Sequence, residues 1–181
     1  MLDLFLFTSD VSLAQSAESA GVASVIVDWE RHGKADRQRG YDTATQTDPP
    51  VTVRQLADAL AIPVTVRVDA LAGEAEDDIA RALDLGARIL MLPMAASAGE
   101  VERFLGLVRG RARTLVQIET AALVRDLEAL RTLDWEYGYV GLNDLMISRG
   151  GSWLWEPLLD GTMDEIYEAL DGRPVGFGGG T

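Results

Sequence analysis

Cysteine is absent from this 181-residue chain, and histidine and lysine occur once each, as His32 and Lys34. Without cysteine there is neither a disulfide framework nor a thiolate nucleophile. One histidine cannot furnish the several nitrogen or sulfur ligands of an ordinary zinc site. Schiff-base chemistry needs a desolvated lysine, and Lys34 is expected in a polar loop. A Ser-His-Asp arrangement would depend on His32, and no G-x-S-x-G elbow accompanies it. Positive charge is scarce: a net charge of −13 argues against nucleic-acid partners and against a membrane surface. No apolar run is long enough to span a bilayer. The apolar start Met1-Leu2-Asp3-Leu4-Phe5 lacks the basic flank of a signal peptide, so a cytoplasmic location is expected.

What is present is a core-forming composition, 48% hydrophobic and 25% charged, which suits one globular domain over residues 1–181. Short apolar runs read as strands at Leu4–Phe7, Val25–Asp28, Val64–Val68, Ile89–Leu92, Leu115–Glu119, Tyr139–Leu142 and Pro174–Phe177. Helical patterns lie between them near 11–20, 52–61, 74–85, 97–109, 121–132 and 162–170. Three of these begin with capping boxes, Thr52 to Gln55, Ser97 to Glu100 and Thr162 to Glu165, while Gly21 and Gly86 stand at expected helix ends. Such alternation implies βαβ units and a parallel sheet.

Strand faces decide between an open sheet and a barrel. In Val64–Asp69 the valines take one face, and Thr65, Arg67 and Asp69 take the other. Gln117 and Glu119 likewise oppose Val116 and Ile118, and Asp28 and Glu30 oppose Val27 and Trp29. An open doubly wound sheet has helices on both faces and is apolar on both. Charged positions late in several strands favour a (β/α)8 TIM barrel, whose active site lies at the C-terminal rim. There is also no G-x-G-x-x-G turn after the first strand, as a dinucleotide-binding fold requires.

Two acidic strand ends, Gln117-Ile118-Glu119-Thr120 and Gly141-Leu142-Asn143-Asp144, close neighbouring strands. Paired carboxylates there form a hard, oxygen-only site suited to Mg²⁺ or Mn²⁺. Taken singly, each carboxylate is better explained by a backbone N–H or an arginine partner.

The series Val27-Asp28-Trp29-Glu30, Val66-Arg67-Val68, Leu92-Pro93-Met94, Gln117-Ile118-Glu119-Thr120 and Gly141-Leu142-Asn143-Asp144-Leu145 resembles the HpcH/HpaI aldolase and citrate lyase family, from the first strand to the last. The resemblance implies a phosphoenolpyruvate/pyruvate-type TIM barrel that makes or breaks C–C bonds beside a 2-oxo acid or acyl thioester with Mg²⁺ or a similar ion. It implies Glu119 and Asp144 as metal ligands, Arg67 against the substrate oxyanion or carboxylate, and Asp28 and Glu30 near the metal and its waters. Asn143 of the same series and Trp153 are candidate substrate contacts. The aldolase branch has His directly after D-x-E, whereas here Arg31 precedes His32, and the acid of the citrate-lyase branch is missing. The general base is thus either His32 or a metal-activated water.

Each residue also has a plainer role. Arg67 can neutralise a barrel carboxylate such as Asp69, and the basic stretch 31–39 can be a solvated loop instead of a lid over an anionic substrate. Trp153 and Trp155 suit either a pocket wall or a subunit interface. Gly178-Gly179-Gly180 suits either a tight turn or a phosphate cradle. The expected function is a divalent-metal-dependent carbon–carbon lyase acting through a metal-stabilised enolate. The alternatives are a phosphate-binding barrel enzyme and a non-catalytic ligand-binding homologue. Only seven strands are counted, so the last βα unit is expected to be missing, with the open seam covered in a homo-oligomer.

Overall fold

The computed structural model describes residues 2–34, 48–170 and 172–179. Seven parallel strands form one sheet in strict sequence order: β1 (Phe5–Phe7), β2 (Ser24–Asp28), β3 (Val64–Arg67), β4 (Ile89–Leu92), β5 (Arg113–Ile118), β6 (Tyr137–Gly141) and β7 (Val175–Gly178). Among the described residues the helices are α1 (Val11–Ser19), α2 (Val51–Ala59), α3 (Ala75–Asp84), α4 (Ala98–Val108), α5 (Ala121–Val124), α6 (Leu127–Leu130), α7 (Leu142–Ser148) and α8 (Thr162–Ala169). A 3-10 turn spans Glu156–Leu158. None of the described helices is long and apolar enough to cross a membrane.

Period-two alternation sorts the strand residues. Val25, Val27, Val64, Val66, Leu90, Leu92, Val116, Ile118 and Val140 face the helices and share one core with Val53, Leu56, Ile79, Val101 and Phe104. The opposite face carries Ile26, Ile89, Met91 and Leu115, packed with Phe5, Tyr137 and Tyr139. That second cluster shows the curl. β1 and β6 are five places apart, about 24 Å in a flat sheet at the usual strand spacing. Yet the Phe5 and Tyr137 rings meet edge to face with centroids 5.7 Å apart. The sheet bends into a half-barrel, and among the described residues no pairing joins β7 to β1.

The helix ends test the capping expectations. Ser97 caps α4 by accepting the Glu100 N–H at 3.3 Å, and Glu100 reaches back to the Ala96 N–H at 2.7 Å. Gly21 and Gly86 adopt φ of 89° and 101°, as residues just past helix ends do. The other two boxes are corrected. Pro50 stands at the N-cap of α2 and Gly161 at that of α8, neither with a side-chain cap bond. Thr52 lies within α2 and is buried with Val53 and Leu56. The pattern over 121–132 resolves into two short helices, because the chain turns at Arg125-Asp126 and Asp126 Oδ2 accepts the Ala98 N–H at 2.7 Å.

Candidate active site at the C-terminal mouth

Register places the first charged pair. Asp28 ends β2 directly opposite Arg67 at the end of β3. Arg67 donates from Nε to Asp28 Oδ1 at 2.8 Å and from Nη2 to Oδ2 at 2.6 Å. Its Nη2 also lies 3.4 Å from Glu30, and its guanidinium stacks 5.1 Å over the Phe7 ring. Lys34 forms a second ion pair with Asp28 Oδ2. Burial alone would raise the Asp28 pKa, but hydrogen bonds and charge from Arg67, then from Lys34, hold it below the usual carboxylate value. Arg67 likewise stays charged despite burial, because Asp28, Glu30 and Glu119 surround it.

The partner of Arg67 is therefore Asp28 and not Asp69. Asp69 instead accepts backbone N–H groups from Arg31 at 3.0 Å, His32 at 2.8 Å, Ala70 at 3.0 Å and Glu74 at 3.4 Å. Arg31 adds contacts to the Trp29 carbonyl at 2.9 Å and to Asp78 at 2.9 Å. Together these fasten the segment after β2 against the start of α3. At its far end, the Asp28 N–H donates to Asp48 Oδ2 at 2.9 Å and the Asp48 N–H donates to the Asp28 carbonyl at 2.8 Å.

Glu119 follows β5 and is 2% exposed. Its Oε1 accepts the Met94 N–H and its Oε2 accepts Gln117 Nε2, both at 2.9 Å. Met94 takes a left-handed backbone, φ 56°, unusual without a glycine, and that conformation aims its N–H at the carboxylate. Gly141 at the end of β6 is needed for clearance, since a Cβ there would stand 2.4 Å from Glu119 Oε2. Asp144 sits in the first turn of α7. Burial, then the charges of Asp144 and Glu30, push the Glu119 pKa up to about 8, against the pull of Arg67 and the Met94 N–H. Asp28, Glu30, Glu119 and Asp144 thus bring four carboxylates to the same end of the sheet as Arg67 and Lys34.

This donor set fits a hard divalent cation. Glu119 and Asp144 offer oxygen donors only, and the repulsion from Asp144 that helps raise the Glu119 pKa is what a bound cation would relieve. Among the described residues no group of three or more His, Asp or Glu side chains is arranged to hold an ion. Two carboxylates with water and substrate oxygens completing the shell is the usual magnesium arrangement.

The structure thus brings Asp28, Glu30, Arg67, Glu119 and Asp144 into one electrostatic cluster, with Asn143 beside Asp144 in α7. β6 ends at Gly141, so Leu142, Asn143 and Asp144 open a helix that the strand-like reading of this stretch missed. His32 is exposed, its backbone tied to Asp69. Trp153 and Trp155 are 52% and 42% exposed, between α7 and the 3-10 turn. Residues 35–39 of the basic stretch and Gly180 of the glycine run lie outside the described residues. Sequence reasoning missed Lys34, which is 5% exposed rather than solvated. It also missed Gln117, Tyr139 and Met94. Gln117 and Tyr139 shared the period-two signal that found Glu119, whereas the backbone role of Met94 leaves no trace in residue type.

No family model matches the chain, and no curated relative matches its sequence. Solved structures do match. An HpcH/HpaI aldolase/citrate lyase family protein from Burkholderia cenocepacia J2315 superposes with a TM-score of 0.74 at 20% identity, covering 97% of this chain and 78% of that one. The HpcH/HpaI aldolase from Desulfitobacterium hafniense DCB-2 gives 0.74 at 17% identity, over 97% and 76%. Citrate synthase SbnG gives 0.73 at 19% identity, over 97% and 76%. At these identities the likeness establishes a shared fold.

Proposed function

We propose, on the premise that this chain shares the fold of the HpcH/HpaI aldolases and citrate lyases, that it is a divalent-cation-dependent carbon–carbon lyase for a 2-oxo acid or acyl thioester. One observation carries the reading: Glu119 is buried at the mouth of the half-barrel, and that burial, reinforced by the charges of Asp144 and Glu30, pushes its pKa up to about 8. A buried carboxylate with a strongly raised pKa beside other carboxylates is a candidate functional group.

Glu119 and Asp144 would hold Mg²⁺ or Mn²⁺, which when bound polarises the substrate carbonyl and neutralises charge that develops on it. The chain's own residues supply the rest. Arg67 is locked by Asp28 through Nε and Nη2, and among the described residues its Nη1 makes no hydrogen bond. That edge is a preset donor for the oxygen on which negative charge grows, and its fixed orientation removes reorganisation from the reaction. Phe7 beneath the guanidinium excludes water from one side. Asp69 and Arg31 hold the segment carrying Glu30, His32 and Lys34 at the rim.

The test is release of a 2-oxo acid from a panel of 4-hydroxy-2-oxo acids and acyl thioesters, followed with a coupled dehydrogenase. Turnover that requires Mg²⁺ or Mn²⁺ and stops with EDTA supports the reading. Turnover indifferent to chelation, or none on any member, contradicts it.

A further inference from the structure

Tyr139 lies on the inner face of β6, paired in register with Gln117 of β5, and its ring packs in the interior cluster with Ile26, Ile89, Met91 and Leu115. Phenylalanine would fill that space equally well, so the hydroxyl is the informative atom. The phenol reaches toward the C-terminal end of β7, where a Cβ on Gly178 would stand 2.3 Å from Oη. Glycine at 178 is what admits it. Neighbouring Tyr137 uses its hydroxyl to accept from Arg113 at 2.8 Å, whereas no described residue hydrogen-bonds the Tyr139 hydroxyl. In the same layer, Gln117 Oε1 is buried without a partner. Buried polar groups are nearly always satisfied, so this layer is incomplete without a polar occupant.

We propose that Tyr139 is a substrate-contacting residue, its hydroxyl donating a hydrogen bond to a carbonyl or enolate oxygen of a small oxo acid held beside Arg67 and Glu119. This rests on the lyase reading and adds to it a donor on the β7 side of the site. Burial raises the Tyr139 pKa; the charge of Arg67 opposes that and the charge of Glu119 adds to it, leaving the phenol above its usual value. At neutral pH it is therefore a neutral donor, suited to an oxyanion.

Oxalate, a planar mimic of an enolised 2-oxo acid, is the probe, titrated calorimetrically with Mg²⁺ into the full chain and into Tyr139→Phe, Gly178→Ala and the double variant. Tyr139→Phe should bind Mg²⁺ as wild type does and lose about ten- to a hundredfold in oxalate affinity, the range for a hydrogen bond to a charged group. Gly178→Ala should reproduce that loss by displacing the phenol, and the double variant should lose little more, because both act on one contact. If Tyr139→Phe does not fold, Gly178→Ala carries the test. Wild-type oxalate affinity in a folded Tyr139→Phe overturns the assignment and leaves the lyase reading standing. Failure of the wild-type chain to bind Mg²⁺ and oxalate overturns both.

Discussion

Replacing Glu119 by glutamine should stabilise the metal-free protein. Burial, with Asp144 and Glu30 nearby, lifts the folded-state pKa from 4.5 to about 8. The folded form therefore holds a proton that the unfolded chain releases, and stability drains away as pH rises from the unfolded value through the folded one. At 1.36 kcal/mol per unit, the loss is about 1 kcal/mol at pH 5, about 3 at pH 7, and levels off near ~5 above pH 8. Glutamine removes that dependence while keeping the volume. Its oxygen can keep the Met94 N–H, and rotation of the Gln117 amide would offer the orphaned Oε1 to the new NH₂ group. For a chain of this size, ~3 kcal/mol corresponds to a rise in Tm of about 10 °C. Melting curves in EDTA between pH 5 and 9 provide the assay. Wild type and Glu119→Gln should converge at the acid end and separate steadily to pH 8. Parallel curves would refute the claim that Glu119 is a buried carboxylate held protonated in the fold.

Three further outcomes are expected. Arg67→Lys keeps the charge but loses the fork held by Asp28, and kcat/KM should fall by an amount equivalent to about 2–4 kcal/mol; a near-normal value would make Arg67 only a partner of Asp28. Gly141→Ala places a Cβ 2.4 Å from Glu119 Oε2 and should abolish Mg²⁺-dependent stabilisation without removing any charge; retention of that effect would show that Glu119 does not hold the ion. Asp69→Ala strands the backbone N–H groups it now accepts and should destabilise the chain by about 2–4 kcal/mol in urea; a loss under ~0.5 kcal/mol would rule out its anchoring role.

The seven strands were legible as short apolar runs; β3 adds a two-residue period, with Val64, Val66 and Val68 against Thr65 and Arg67, whereas β1 and β4 are apolar throughout. The same alternation put Arg67 and Glu119 on the inner face. Capping motifs were less reliable. Thr52 and Thr162 match a box in residue type, yet tertiary packing starts their helices one or two residues earlier, at Pro50 and Gly161. α7 was hidden because Gly141-Leu142-Asn143-Asp144 continues an apolar strand and begins a helix within two residues. Lys34 was misplaced for a different reason. Its neighbours in sequence are polar, and only the folding of the segment back onto Asp28 buries it. Contacts made through the backbone, such as Met94 to Glu119, belong to φ and ψ and leave no trace in residue type.

Calorimetric titration of the wild-type chain with Mn²⁺ at pH 7, repeated in buffers of different ionisation enthalpy, tests the central claim most directly. The site as described binds one ion per chain and releases close to one proton, because Glu119 must give up the proton that its pKa of about 8 retains. Glu119→Gln and Asp144→Asn should both lose the ion while keeping the wild-type circular dichroism spectrum. Binding that persists in either variant, or that proceeds without proton release in wild type, would contradict the assignment of Glu119 and Asp144 as the cation-holding pair.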